Sequence, residues 1–268
     1  MWICNDRLVP LLGVPHDDFG EDECMSASVL DLSLVLACYN EELVIDDSVS
    51  QIIEVLDNTR YSYEIIFVDD CSKDRTRELI DRIIGRYPDK RMSKIFHEQN
   101  KGRGGTVSDG IRAAEGEVAG FIDIDLEVHA RYIPSCVQAV IDGADIAVGR
   151  RVYKLNLRSL DRYVLSTGYV WLVRRLLGVD LNDTETGYKF FRRERILPVL
   201  DEIEDQRWFW DTEVMVRSYY KQHRIVEIPC LFLRRFDKPS TVSPLADTVD
   251  YFRKLWQFRK TVNNELAH

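Results

Sequence analysis

Val118-Ala119-Gly120-Phe121-Ile122-Asp123-Ile124-Asp125-Leu126-Glu127 is the stretch on which the reading of this chain turns. Its first five residues are apolar, and the next five set a carboxylate at every second position. If the apolar run is a buried strand, side chains alternate between faces and Asp123 and Asp125 point the same way at its end. Glu127 extends the row if the extended geometry continues. Oxygen donors converging at the carboxyl edge of a strand suit a hard divalent cation that keeps positions open for phosphate oxygens. Taken alone, the same residues also read as an acidic, solvated strand end.

Upstream of this stretch the chain alternates. Leu32 to Ala37 is strand-like, and Val44 to Leu56 places Val44, Val49, Ile52, Ile53 and Leu56 at helical spacing. Tyr63 to Val68 is a second β-rich run, followed by helical spacing at Leu79, Ile80, Ile83 and Ile84. A strand near Ser93 to His97, a glycine-rich turn and a helix through Ala114 lead into Val118. Strands and helices alternating at these lengths imply βαβ units, a mainly parallel Rossmann-like sheet flanked by helices, and a ligand site beyond the strands' carboxyl ends. Downstream, Asp145 to Gly149 reads as a strand, Leu160 to Leu177 as a long helix, and Val226 to Phe232 as an edge strand because it carries Pro229.

The chain has 268 residues, 45% hydrophobic and 30% charged, enough for one large α/β domain or two small ones. A net charge of −9 argues against a nucleic-acid binder, which shows a basic face, but leaves room for an anionic ligand at a locally positive site. Cys4, Cys24, Cys38, Cys71, Cys136 and Cys230 lack C-x-x-C spacing and suit reduced thiols in a cytoplasmic protein. The apolar-leaning stretch Tyr163 to Val173 is too short to cross a bilayer, and no signal peptide precedes the acidic cluster Asp17 to Glu23. The expectation is a cytoplasmic protein with at most peripheral contact to the cytoplasmic membrane face. Residues 1–30 read as a loose extension, with Met25 as an alternative start, 31–242 as the domain, and 243–268 as an amphipathic helical appendage.

Each strand in the first half ends in a polar turn. Tyr39-Asn40-Glu41-Glu42 closes the first, where Asn40 or Glu41 also suits a helix cap. Asp69-Asp70-Cys71-Ser72-Lys73-Asp74 closes the second, and Asp74 also suits a cap. Asn100-Lys101-Gly102-Arg103-Gly104-Gly105 follows the third; its glycines permit close backbone approach, and the helix start beyond them favours an anion. No G-K-[S/T] occurs here, so it is not a Walker A loop.

In order and spacing, these turns followed by D-x-D resemble the family 2 glycosyltransferases of GT-A fold, over roughly Leu32 to Val242. The resemblance implies that Tyr39, Glu41 and Asp70 hold the base and ribose of a nucleotide sugar, with Lys101 and Gly102 nearby. Asp123 and Asp125 would carry Mg²⁺ or Mn²⁺ on the diphosphate. Asp183-Thr184-Glu185-Thr186-Gly187-Tyr188-Lys189 is similar to a block of the polyprenyl-phosphate branch, that of the dolichyl-phosphate mannose and glucose synthases. Glu127 stands where that branch has a third metal ligand. Gly149-Arg150-Arg151 and Arg162-x-x-x-Ser166 resemble its acceptor-phosphate motifs, implying that Arg151, Arg162 and Ser166 hold the lipid phosphate. Arg235 to Ser240 resembles the loop whose Arg235 and Ser240 close over the donor diphosphate.

In Trp208-Phe209-Trp210-Asp211-Thr212-Glu213, Asp211 or Glu213 stands where sugar-to-sugar transferases place a base. A phosphate acceptor needs none, since its second pKa is about 6, and Asp211 then caps the helix Thr212 to Tyr220 and orients the site. The implied reaction is inverting transfer from a UDP- or GDP-sugar to polyprenyl phosphate, with Asp125, Asp211 and Arg151 at the reacting centre. The alternatives are a family 2 enzyme that extends a glycan and a nonenzymatic nucleotide-sugar-binding protein. Leu245 to Val262 sets Val249, Phe252, Leu255, Trp256 and Phe258 beside Arg253, Lys254, Arg259 and Lys260. Such a helix packs on the domain, on a second copy as a homodimer, or in a membrane interface. A partner membrane protein is a further option.

Overall fold

A computed structural model describes residues 30–153, 160–234 and 244–265, with side chains for 30–153, 167–234 and 251–262. Among the described residues, seven strands form one sheet: β1 (Leu32–Cys38), β2 (Tyr63–Asp69), β3 (Met92–Phe96), β4 (Val118–Ile122), β5 (Ile146–Tyr153), β6 (Tyr188–Arg192) and β7 (Ile225–Phe232). Their spatial order is β3-β2-β1-β4-β6-β5-β7. All neighbouring pairs are parallel except those made by β6, which runs antiparallel to β4 and β5. β7 lies at the edge, where Pro229 costs no ladder bond on the open side.

Alternation along β1 builds two cores. Leu32, Leu34 and Leu36 face a layer formed by α1 (Ile45–Asp57), α2 (Thr76–Arg86) and α4 (Ile133–Ile141). Val35 faces the opposite layer, formed by α3 (Arg103–Ala113), α5 (Leu160–Leu177), α6 (Arg193–Leu200), α7 (Trp210–Tyr220) and α8 (Pro244–Glu265). A parallel sheet covered on both faces buries every residue of its central strands, and β4 is buried along its whole length. α1 docks through Ile45, Val49, Ile52, Ile53 and Leu56; the last four are the spacing read from the sequence, and Val44, expected with them, is buried at the N-cap position. α8 packs inward through Leu255, Phe258 and Val262, with the Phe258 ring 5.6 Å from that of Phe209. Its outward residues include Phe252 and Trp256, each about half exposed.

The strand expectations hold in position. α4, β6 and α6 were not foreseen: Ile133–Ile141 hides behind Pro134, and Tyr188–Arg192 lies inside a motif block. Cys38, Cys71, Cys136 and Cys230 are free thiols. Among the described residues, no helix is long and apolar enough to cross a membrane.

Candidate active site

The carboxyl ends of β2, β1 and β4 lie side by side, with Cys38 paired to Asp69 and Val35 to Phe121. This is the crevice where open α/β sheets place ligands. The three turns leaving these strands each contain a non-glycine residue in the left-handed region: Asn40 (φ 56°), Cys71 (φ 68°) and Leu126 (φ 52°). Such residues are uncommon and concentrate at sites where surroundings over-determine the backbone.

The surroundings are visible in the hydrogen bonds. Asn40 Oδ1 accepts from Lys73 N at 2.8 Å, and Ser72 Oγ accepts from Asn40 N at 2.9 Å. Asn40 therefore ties two loops together and does not cap α1, whose start is marked by Val44 and Ile45 N–H groups donating to the Glu41 carbonyl. Asp74 accepts from Thr76 N at 2.9 Å one residue ahead of the N-cap position of α2, which Arg75 occupies. Tyr39 lies on the rim, 40% exposed.

Asp70 is buried and organises the glycine-rich loop. Its two oxygens accept from Lys101 N at 2.8 Å and Gly102 N at 2.9 Å, and His97 Nδ1 lies 2.9 Å from Oδ1. Lys101 Nζ is 2.6 Å from Asp109. Gly102 has φ +89°, and a Cβ there would meet the Gln206 carbonyl at 2.6 Å, so only glycine serves.

The extended geometry of β4 stops at Ile122, so Glu127 does not continue a row with Asp123 and Asp125. The chain turns instead, with Leu126 N donating to the Asp123 carbonyl at 3.2 Å. Burial pushes the Asp125 carboxyl up to about 7, and the carboxylates of Asp123, Glu127 and Glu41 add to the rise. Among the described residues, no three His, Cys, Asp or Glu side chains stand grouped as metal ligands. Asp123 Oδ1 faces Arg103, which donates from Nε at 3.1 Å and Nη2 at 2.6 Å. The donor chemistry suits a divalent cation, since the carboxylates of Asp123, Glu127 and Glu41 all act on Asp125 and such cations take hard oxygens.

Behind this edge lies a buried charge chain. Arg103 Nη1 also pairs with Asp211 Oδ2, and Lys189 Nζ pairs with Asp211 Oδ1 at 2.5 Å. Burial opposes the charge on Arg103, but Asp123 and Asp211 outweigh it and raise its pKa. Burial lowers the pKa of Lys189, with Asp211 opposing. Glu213 points away, accepting from Glu204 N, Asp205 N and Arg217 Nε at 3.1, 2.9 and 2.8 Å.

On the other flank Arg151, at the end of β5, meets Asp183 as a fork: Nε on Oδ2 and Nη2 on Oδ1, each 2.8 Å. Burial would raise the pKa of Asp183; Arg151 outweighs it and the net direction is down. Glu185, 3.5 Å from Arg151, is raised chiefly by burial. A groove of about 640 Å³ opens here, lined by Arg150, Arg151, Arg174 and Arg175 together with Tyr153 and Trp171. Arg162 and Ser166 lie in α5, and their side chains fall outside the described residues, as do Arg235 and Ser240.

Sequence reasoning quoted Arg103, Lys189 and Asp183 inside motifs but gave none of them a role. Arg103 sits at the variable position of the glycine-rich loop, and its signal was a charge between glycines at a helix start. Lys189 had a clearer one, a cation inside the otherwise apolar Tyr188-Lys189-Phe190-Phe191.

Residues 33–209 match the model of the glycosyl transferase family 2. The chain belongs to that family. It is 34% identical over 209 residues to Glycosyltransferase AglD of Haloferax volcanii, a match covering 76% of this chain and 33% of that one. With a dolichyl-phosphate beta-glucosyltransferase of Dictyostelium discoideum it shares 27% identity, over 74% of this chain and 64% of the relative. With a dolichol-phosphate mannosyltransferase of Pyrococcus furiosus it shares 29%, over 75% and 56%. The chain thus spans between a third and two thirds of the length of these relatives. Glucosyl-3-phosphoglycerate synthase of Mycobacterium tuberculosis, solved with Mn²⁺, UDP and its product, superposes with a TM-score of 0.62 at 17% identity, covering 93% of this chain and 86% of that one. A mannosyltransferase of Pyrobaculum calidifontis with GDP-mannose and Mn²⁺ gives 0.55 at 18%, covering 78% and 58%. These likenesses establish the GT-A fold.

Proposed function

We propose that this chain transfers a sugar, with inversion, from a UDP- or GDP-sugar to a polyprenyl phosphate such as dolichyl phosphate. The observation that carries this reading is the arginine groove beside the acidic strand end. Its guanidinium groups suit a phosphate and its Tyr153 and Trp171 rings suit a hydrocarbon chain. The names of the dolichyl-phosphate relatives support the same acceptor class.

On this reading Tyr39, Glu41 and the loop fixed by Asp70 receive the nucleotide, with Lys101 and Gly102 beside it. Asp123 and Asp125, with Glu127 as a further donor, would hold Mg²⁺ or Mn²⁺, which supplies neutralisation of the charge growing on the departing diphosphate. Arg151, oriented by Asp183, positions the acceptor phosphate for attack in line at the anomeric carbon, and Arg162 and Ser166 extend that hold. Arg235 and Ser240 close over the donor and exclude water. Both Asp211 oxygens already face cations, so Asp211 orients Arg103 and Lys189 and removes no proton. The outward Phe252 and Trp256 of α8, beside exposed Arg253 and Lys260, support contact with a membrane surface where the lipid resides. Residues 31–242 form the catalytic domain and α8 its appendage.

The test is release of nucleoside diphosphate by purified protein with Mg²⁺ or Mn²⁺, across UDP- and GDP-sugars, with and without a short polyprenyl phosphate. Release that requires both lipid phosphate and Asp125 is expected. Asp211→Asn separates this acceptor from a glycan: an orienting role leaves activity within about tenfold, whereas loss of a general base costs on the order of 10²–10⁴ in kcat.

A further inference from the structure

Arg103 stands where no step of the transfer described above uses it. Two of its nitrogens converge on one oxygen, Asp123 Oδ1, at 3.1 and 2.6 Å. Its third nitrogen is anchored by Asp211, and its guanidinium lies 5.4 Å from the Phe121 ring and 5.6 Å from that of Trp208. A cation approaching that oxygen meets a fixed positive charge, and the two repel. Gly187 leaves the space for this pair, since a Cβ there would strike both Asp123 Oδ2 and Arg103 Nη2.

We propose that Arg103 is a positioning residue that latches Asp123 until a nucleoside diphosphate arrives, so that divalent cation and nucleotide enter the site together. The inference rests on the reading of Asp123 and Asp125 as cation ligands. A diphosphate offers the guanidinium fork an anion of matching geometry. Arg103 turns to it, and Asp123 is released to the cation. Lys189 makes the exchange affordable in charge, because it keeps Asp211 paired when Arg103 moves away. The latch thereby favours a cation delivered with its nucleotide over a cation alone.

The probes are Mn²⁺, followed by electron paramagnetic resonance, and UDP or GDP. Alone, the wild type binds Mn²⁺ weakly, and nucleotide tightens it. Arg103→Gln binds Mn²⁺ alone at least about tenfold more tightly than wild type, because its carboxylate is open at all times. Arg103→Lys, which keeps a positive charge beside Asp123, stays near the wild type in its affinity for Mn²⁺ alone. Equal Mn²⁺ affinity in wild type and Arg103→Gln, both lost with Asp125→Asn, overturns the latch and leaves the cation site standing. Mn²⁺ binding indifferent to Asp125→Asn overturns the cation site and the latch with it. A second measurement needs no destabilising variant. The Arg103 Nε–H resonance of the wild type, assigned by its absence in Arg103→Lys, moves on adding UDP or GDP without metal. If it moves with neither nucleotide, the latch is wrong.

Discussion

The two flanks of the crevice are fastened by different means. On the β1–β2 side, the turns are fixed by side chains that hold main-chain N–H groups, Asn40 on Lys73, Ser72 on Asn40, Asp70 on Lys101 and Gly102, with the ion pairs Arg77–Asp69 and Lys101–Asp109 beside them. On the β4–β6–β5 side, side chains hold one another as ion pairs: Arg103 with Asp123 and Asp211, Lys189 with Asp211, Arg151 with Asp183. Main-chain bonds fix a shape, whereas ion pairs can exchange one anion for another. The first flank is therefore a preformed cradle. The second is a set of cations whose carboxylate partners can give way to phosphate.

The strongest way to break the second flank is at its acidic edge. Asp125→Asn should lower sugar transfer on the order of 10²–10³-fold by removing charge from the cation site, read as nucleoside diphosphate release. Next is Lys189→Met, which leaves Asp211 buried with one cation instead of two. Urea unfolding should show a loss of about 3 kcal/mol, and the double change Lys189→Met with Asp211→Leu should recover part of it.

Asp70→Asn sharpens the contrast from the cradle side. The two bonds fall on different Asp70 oxygens, so an amide turns its NH₂ on either Lys101 N or Gly102 N and one part-buried donor loses its partner, at about 1–3 kcal/mol of stability. Nucleotide affinity should fall about tenfold for each 1.4 kcal/mol of that disorder expressed at the site, measured by calorimetry. A further effect concerns pH. The folded carboxyl of Asp125 titrates at about 7 against an ordinary 3.8, so the folded chain binds the extra proton and gains stability from it at low pH. That contribution is lost as pH rises through about 7. In the metal-free protein the melting temperature should decline between the ordinary 3.8 and about pH 7, and Asp125→Asn should flatten the decline.

Much of the cradle was legible because its elements are local. Strand, turn and helix follow one another from Leu32 to Ile122, and turn chemistry writes itself in Asn, Asp and Gly. The ion-pair flank was less legible. Lys189 and Asp211 belong to different elements, β6 and α7, and nothing in either segment announces the other. β6 escaped because an antiparallel strand inserted into a parallel sheet breaks the βαβ rhythm that located the rest. The turn at Leu126 likewise has no glycine to mark it, so the carboxylate row read as straight.

The place of β6 also sets an order of assembly. β1 to β4 can pair with one another as soon as residue 122 has left the ribosome. The free edge of β4 must then wait for Arg192 to meet Val118, and β5 waits beside it for both of its neighbours, β6 and β7. During that interval an entirely apolar strand offers unpaired main-chain groups to whatever passes, the usual beginning of aggregation. Closure of the sheet and completion of the buried Lys189–Asp211 pair thus both come late, and a chain interrupted before residue 192 is left with an adhesive edge.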